Sequence, residues 1–366
     1  MGRLGGAYMN ILEIMPAVRM LASKNGLVTC SLADEKGEAS GSDSKTLVVD
    51  KPEGLRNAFG EWFKNNTDAP ETVVVKGVCT IAVSSVGDAG RQRIPGRVVI
   101  VTGGAQGFGA GIAEELFEEG ANIVVADLNE EVGSEMVGRL NAKDYANKGL
   151  FVKTDVSDPG SVENLVNETT LRFGGLDVMI SNAGILRAGG LDEMDPKTFE
   201  IMTKVNYTGY FYCAKYSSKV MKIQSEYSDG THFMDIIQIN SKSGLKGSNR
   251  NFAYAGGKFG GIGLTQSFAL ELMPNQIKVN SICPGNFFDG PLWSNPENGL
   301  FVQYLKAGKV PGAKTIEDVK QFYENQVPAR RGCRVIDVVR AILYAIEQEY
   351  ETGQAIPVTG GQEMLK

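Results

Sequence analysis

From Gly96 onward, short unbroken apolar runs trade places with longer segments in which apolar residues recur every three or four positions. A run without alternation predicts a strand buried on both faces, and the helical recurrence predicts the elements that cover it. Strands are predicted at Arg97–Val101, Ile123–Asp127, Leu150–Thr154, Leu176–Ile180, 234–240, Ile277–Ile282 and Ala355–Val358. Helices are predicted at Ile112–Glu119, closed by Gly120, and near 197–222, 253–273 and 335–349. The order is that of βαβ units, so the fold class is α/β, with a doubly wound, mostly parallel sheet of about seven strands. Residues 286–330 are rich in aromatics and hold no clear strand, and they read as a mobile cover with Phe287, Phe288, Leu292 and Trp293 as its apolar anchors.

The first 90 or so residues follow another pattern. Tyr8, Ile11, Leu12, Met15 and Val18 recur at helical spacing, as do Leu55, Ala58, Phe59, Trp62 and Phe63. Thr72–Lys76 and Cys79–Val83 read as two strands around Gly77, Asp34–Ser44 as a mobile loop and Ser84–Gly96 as a linker. The expected division is therefore a small α+β appendage over 1–90, of unknown role, ahead of a main domain over 91–366.

Composition narrows the function. The 366 residues are 42% hydrophobic, enough for a sizeable core, and the net charge of −6 argues against a nucleic-acid partner. No apolar stretch is long enough to span a bilayer. Glu13 and Arg19 interrupt the first apolar segment, making it a poor secretory signal, and Gly6 stands where a myristoylation signal would want Ser or Thr. A soluble, cytoplasmic protein with no membrane partner is expected. The five cysteines are widely scattered, so reduced, buried thiols are expected rather than a metal site. The one histidine, His232, falls in what reads as an exposed loop, which leaves acid/base work to other groups and argues against zinc.

Two constellations carry chemistry. Thr102-Gly103-x-x-x-Gly107-x-Gly109 lies between a predicted strand and a predicted helix, where glycines let the backbone approach a pyrophosphate and the helix N-terminus offers free N–H groups. Gly103, Gln106, Gly107, Phe108 and Gly109 are the candidate contacts. Asp127, followed by Leu128, ends the second strand of that unit; a carboxylate there accepts from ribose hydroxyls and repels a 2′-phosphate, favouring NAD over NADP. The second constellation is Tyr254-x-x-x-Lys258 with Ser241 thirteen positions before the tyrosine. A free phenol, with a pKa of about 10, is a poor base at neutral pH, but a lysine one helical turn away lowers the cost of phenolate. Ser241 can hold the substrate oxygen beside it.

Together with Asn182-Ala183-Gly184, Asn206 and Pro284-Gly285, these ordered motifs resemble the short-chain dehydrogenase/reductase family over about residues 96–366. The resemblance implies a Rossmann-like nicotinamide-dependent oxidoreductase that assembles as a homotetramer. It implies catalytic roles for Asn206, Ser241, Tyr254 and Lys258, with Lys258 also on the nicotinamide ribose and Asn206 supporting a water that links Lys258 to solvent. Asp155 and Val156 would flank the adenine, Asn182, Ala183 and Gly184 would line the floor near the ribose, and Pro284 and Gly285 would sit by the cofactor. Two departures stand out: Asp289 occupies the position where many members carry a carboxamide-contacting threonine, and the segment around Glu226–Thr231 looks longer than usual, which reads as a longer surface loop.

The segments Ile237–Gly244 and Val327–Gln362 resemble one branch of the family, which implies interconversion of sorbitol 6-phosphate and fructose 6-phosphate with NAD. Lys242, Lys246, Arg250, Trp293 and Arg331, with Arg330 beside it, are candidate substrate contacts, the cations because they can pair with a sugar phosphate. An unphosphorylated polyol or another secondary alcohol is the alternative substrate. From another class, an NAD-binding regulatory or assembly protein remains open, as does an N-terminal remnant of a second enzyme.

Overall fold

The computed structural model describes residues 9–37, 44–87, 91–297, 299–306, 308 and 310–364. Tyr8, residues 38–43 of the expected loop, residues 88–90 of the expected linker and the Leu292 side chain lie outside the description.

The first elements are α1 (Ile11–Ala22), β1 (Val28–Asp34), β2 (Thr46–Val49), α2 (Leu55–Asn65), β3 (Thr72–Val75) and β4 (Cys79–Ser85). Their sheet runs β1-β4-β3-β2 and is antiparallel except between β2 and β3. Ile14, Val18, Leu55 and Phe59 from the helices close a core with Val73, Val75 and Ile81 from the strands. The periodicity expects both helices and the hairpin; it misses β1 and β2, which gain their place through partners distant in the chain.

The large sheet follows, from β5 (Val98–Thr102), α3 (Gly107–Glu118), β6 (Asn122–Asp127), α4 (Glu130–Asn141), β7 (Gly149–Lys153), α5 (Pro159–Phe173), β8 (Val178–Ser181), α6 (Pro196–Thr203), α7 (Gly209–Tyr227), β9 (Met234–Ile239), α8 (Phe252–Leu272) and β10 (Ile277–Pro284). After β10 come α9 (Pro291–Ser294), α10 (Leu300–Lys306), α11 (Ile316–Asn325), α12 (Val335–Glu347) and β11 (Ala355–Val358). The seven strands are all parallel, in the order β11-β10-β9-β8-β5-β6-β7. Helices cover both faces: α3 and α12 share one core with the sheet, and α5, α7 and α8 share the other. The direction of winding reverses between β5 and β8, and the crevice beyond the carboxyl ends of those strands is where such sheets bind ligands.

Local chemistry sets the ends of the elements. Asp158 caps α5 ahead of Pro159, and Gly174, left-handed at φ 82°, closes it. The helix expected at 197–222 is divided: a π-helical turn, Lys204–Thr208, joins α6 to α7 and carries Asn206. Among the described residues, the expected cover holds three short helices around a small core of Phe288, Trp293, Leu300, Phe301, Val310 and Val319.

Two expectations need correction at the amino ends of the large sheet. His232 is not in an exposed loop: its side chain is 10% exposed, and Nε2 lies 2.8 Å from Asp177 Oδ1. Asp177, wholly buried, also accepts from Arg19 of α1 at 3.0 and 2.7 Å and from the Val98 amide at 2.7 Å. The segment around Glu226–Thr231 is surface loop only in part: Glu226 and Tyr227 are the last residues of α7, where Arg56 of α2 donates to the Glu226 carbonyl and lies 4.5 Å from the Tyr227 ring centre, while residues 229–231 are exposed. The end of α7 thereby meets the N-terminal elements.

Candidate active site

Beyond the carboxyl ends of β5, β6, β8 and β9 opens a cleft of about 1150 Å³. One half is built by backbone. Gly103 (φ 62°) and Gly107 (φ 60°) take left-handed turns that a side chain resists, and a Cβ on Gly109 would lie 1.9 Å from the Gly103 carbonyl oxygen. Asn182, at the end of β8, fastens this turn: Nδ2 donates to the Thr102 and Gly103 carbonyls at 2.9 and 3.2 Å, and the Asn182 and Ala183 amides donate to Thr102 Oγ1. A close-approach glycine turn at a helix N-terminus fits a dinucleotide's pyrophosphate.

Asp127 stands at the carboxyl end of β6 and lines the same half. Its oxygens accept from the Ala105 and Asn129 amides, both at 3.0 Å, which fixes the carboxylate and leaves each oxygen a further lone pair. Leu128 is 63% exposed there, an apolar surface offered to a ligand. Gln106, Phe108, Asp155, Val156, Ala183, Gly184, Pro284 and Gly285 line the cleft as well. Phe108 stacks on Phe287 with ring centres 4.2 Å apart, joining the glycine turn to the start of the cover.

The other half brings Ser241, Tyr254 and Lys258 together. Tyr254 and Lys258 share a face of α8, with the ammonium 5.5 Å from the phenol ring centre. Lys258 Nζ donates to the Ile239 carbonyl at 2.8 Å. Burial pushes the lysine's pKa down to about 8. Burial likewise pushes the Tyr254 phenol up, and a hydrogen bond with Ser241 pulls it partway back. Asn206 does not line the cleft; its carboxamide pairs with both backbone groups of Ile185, at 3.0 and 2.8 Å, bracing the wall from behind.

The candidate substrate residues divide. Lys242, Arg250 and Trp293 line the cleft. Lys242 is half-buried, and that burial lowers its pKa; among the described residues no carboxylate lies within 4.0 Å of it. Arg250 (φ 57°) is paired with Glu193 at 2.5 Å. Lys246 stands outside, 3.6 Å from Glu363, and Arg331 pairs with Asp337 at 2.5 Å beside a separate cavity of about 500 Å³. Arg330 turns to Asn325. Asp289 does not line the cleft; its carboxylate lies 4.0 Å from Lys320 of α11. The sequence reading passes over Asn249, Asn251, Asn286, Gln303, Tyr304 and Tyr323, which also line it. The nearness of Asn249 and Asn251 to Tyr254 is the signal available for them; Asn286 and the other cover residues carry none, because folding alone brings them over the site.

All five cysteines are buried and unbridged, and among the described residues no cluster could hold a metal ion and no helix is long and apolar enough to cross a membrane.

The chain belongs to the short-chain dehydrogenase/reductase family: the family described as short chain dehydrogenase matches residues 97–294, and the parallel sheet is the family's Rossmann-like fold. It is thus an oxidoreductase of a family that uses a nicotinamide dinucleotide, NAD or NADP. Among its relatives, it is 35% identical to sorbitol-6-phosphate 2-dehydrogenase of Escherichia coli over 74% of this chain and 99% of that one. It is 31% identical to trans-4-hydroxycyclohexanecarboxylate dehydrogenase of Sinomonas cyclohexanicum over 74% and 94%. The crystal structure of sorbitol-6-phosphate 2-dehydrogenase from Erwinia amylovora superimposes with a TM-score of 0.66 at 36% identity, covering 73% of this chain and all of that one.

Proposed function

We propose that the protein is an NAD-dependent dehydrogenase that interconverts the secondary alcohol of a polyol phosphate and its ketone, with sorbitol 6-phosphate and fructose 6-phosphate as the best-supported pair. The observation that carries this reading is the meeting of Ser241, Tyr254 and Lys258 in the same cleft as Asp127. When bound, the dinucleotide supplies the hydride acceptor. Tyr254 takes the hydroxyl proton as general base, and in the reverse direction returns it as general acid. Ser241 holds the reacting oxygen beside the phenol, and the positive charge of Lys258 favours the phenolate. Lys258 would also hold the nicotinamide ribose, and Asn206, its side chain committed to Ile185, would brace the wall beside it.

Asp127 supports NAD, because no arginine or lysine among the cleft-lining residues stands next to it to receive a 2′-phosphate. Replacing Asp127 with serine is expected to raise the ratio of kcat/KM for NADP over NAD by about tenfold or more, as like charges brought together cost several kcal/mol. Steady-state rates with the two dinucleotides check this.

Lys242 supports a phosphorylated substrate, as does the name of the E. coli relative. The name of the Sinomonas relative favours an unphosphorylated secondary alcohol instead. Rates of NADH formation with sorbitol 6-phosphate and with sorbitol separate the two, and a preference for the free polyol rejects the phosphate reading. Lys242→Met is expected to lower the preference for the phosphorylated substrate about 10- to 100-fold, the worth of a charge-assisted hydrogen bond. The protein acts in the cytoplasm as a homotetramer, which light scattering tests.

A further inference from the structure

We propose that Asn240 is a positioning residue whose carboxamide holds Ser241, at the end of β9, in register with the Tyr254–Lys258 turn of α8. The inference rests on the catalytic reading of those three residues given above. Asn240 is 4% exposed and directly precedes Ser241. Its Oδ1 accepts from the Ser241 amide at 2.8 Å, and its Nδ2 donates to the Lys258 carbonyl at 2.9 Å and to Gln238 Oε1 at 2.7 Å. Lys258 is thereby held at both ends by consecutive residues: its carbonyl by the Asn240 side chain and its ammonium by the Ile239 carbonyl.

A buried polar chain braces the carboxamide from behind. Gln238 Oε1 also accepts from Ser281 Oγ of β10 at 3.2 Å. The Ser281 hydroxyl is 2.7 Å from that of Thr265 on α8, which in turn is 3.0 Å from the Tyr210 hydroxyl on α7. Each of these residues is buried. Two glycines let the backbone come this close: a Cβ on Gly244 would lie 2.2 Å from Asn240 Oδ1, and one on Gly261 would lie 2.4 Å from Gln238 Nε2.

A buried network could serve stability alone. Here two of the groups it holds, the Ser241 amide and the Lys258 carbonyl, belong to residues carrying the reactive side chains. Without the carboxamide, Ser241 can drift from Tyr254, and the hydrogen bond that favours phenolate weakens. Misplacement of about 1 Å costs roughly 100-fold in rate.

The test uses the full chain with NAD and sorbitol 6-phosphate, and compares Asn240→Ala, Ser281→Ala and Tyr254→Phe. Asn240→Ala is expected to lower kcat about 10- to 100-fold, to move the rising limb of the kcat profile for alcohol oxidation to higher pH, and to leave KM for NAD within about threefold. Ser281→Ala, milder because it cuts the brace and not the clamp, is expected to move kcat and the limb the same way by a few-fold, about 2 to 5. If Asn240→Ala fails to fold, Ser281→Ala decides. Folded variants with lowered melting temperature but wild-type kcat and pH limb overturn the positioning role. Full activity in Tyr254→Phe instead overturns the catalytic reading on which it rests.

Discussion

Replacing Tyr254 with phenylalanine is expected to lower kcat for alcohol oxidation by about 10³-fold, within the range general acid/base groups contribute, and to leave dinucleotide binding within about twofold. The substitution removes one oxygen and keeps the ring that packs under Lys258. In the cofactor-free protein, burial raises the Tyr254 pKa, and the Ser241 hydrogen bond offsets part of the rise. The base is therefore scarce at neutral pH, and the wild-type oxidation rate should climb as pH rises above 7. Burial also brings the Lys258 pKa down to about 8, so the positive charge that favours the phenolate itself fades in alkali unless a bound dinucleotide holds it. Tyr254→Phe should flatten the climb. Stopped-flow NADH absorbance measures both quantities, and a phenylalanine variant with more than about a tenth of wild-type kcat would sink the assignment.

The second large effect concerns stability. Arg19→Met is expected to lower unfolding free energy by about 3–5 kcal/mol, because it strands a buried carboxylate whose chief counter-charge has gone. Burial alone would push the Asp177 carboxyl up, but the charge of Arg19, followed by the hydrogen bond from His232, overcomes it and holds the carboxyl well below the usual range. A carboxyl lowered on folding contributes stability that is present above its unfolded pKa, about 3.9, and is lost as pH falls through the folded value. Wild-type melting temperature should therefore decline below about pH 4, and Arg19→Met should weaken that decline. Adding Asp177→Asn to Arg19→Met should restore part of the loss by removing the stranded charge. A single variant within about 1 kcal/mol of wild type in urea unfolding would show that the ion pair contributes little.

Arg19 also illustrates what a sequence withholds. By itself it is a charge that spoils an apolar segment, and only the fold supplies the reason: its partner is 158 positions away. His232 is hidden in the same manner, since nothing around it signals a buried carboxylate. The parallel strands and their helices are legible because burial on both faces leaves a local pattern, and β1 and β2 are not, because their pairing is long-range. The glycine turn, Asp127 and the Ser241–Tyr254–Lys258 set are legible because their spacing is set within one turn, one helix or a single strand–helix unit. Lys246 and Arg331 mislead because charge near a site in sequence says nothing of which carboxylate lies nearer in space; Glu363 and Asp337 hold them.

The N-terminal elements are fastened at the amino ends of the large sheet, through Arg19 at Asp177 and at the Gly96 carbonyl, while the cleft opens at the carboxyl ends. A bead, a surface or a fused protein joined through the outer side of those elements would therefore stand on the far side of the molecule from the route of substrate entry. Immobilised in that manner, the enzyme would face its solution with the cleft outward.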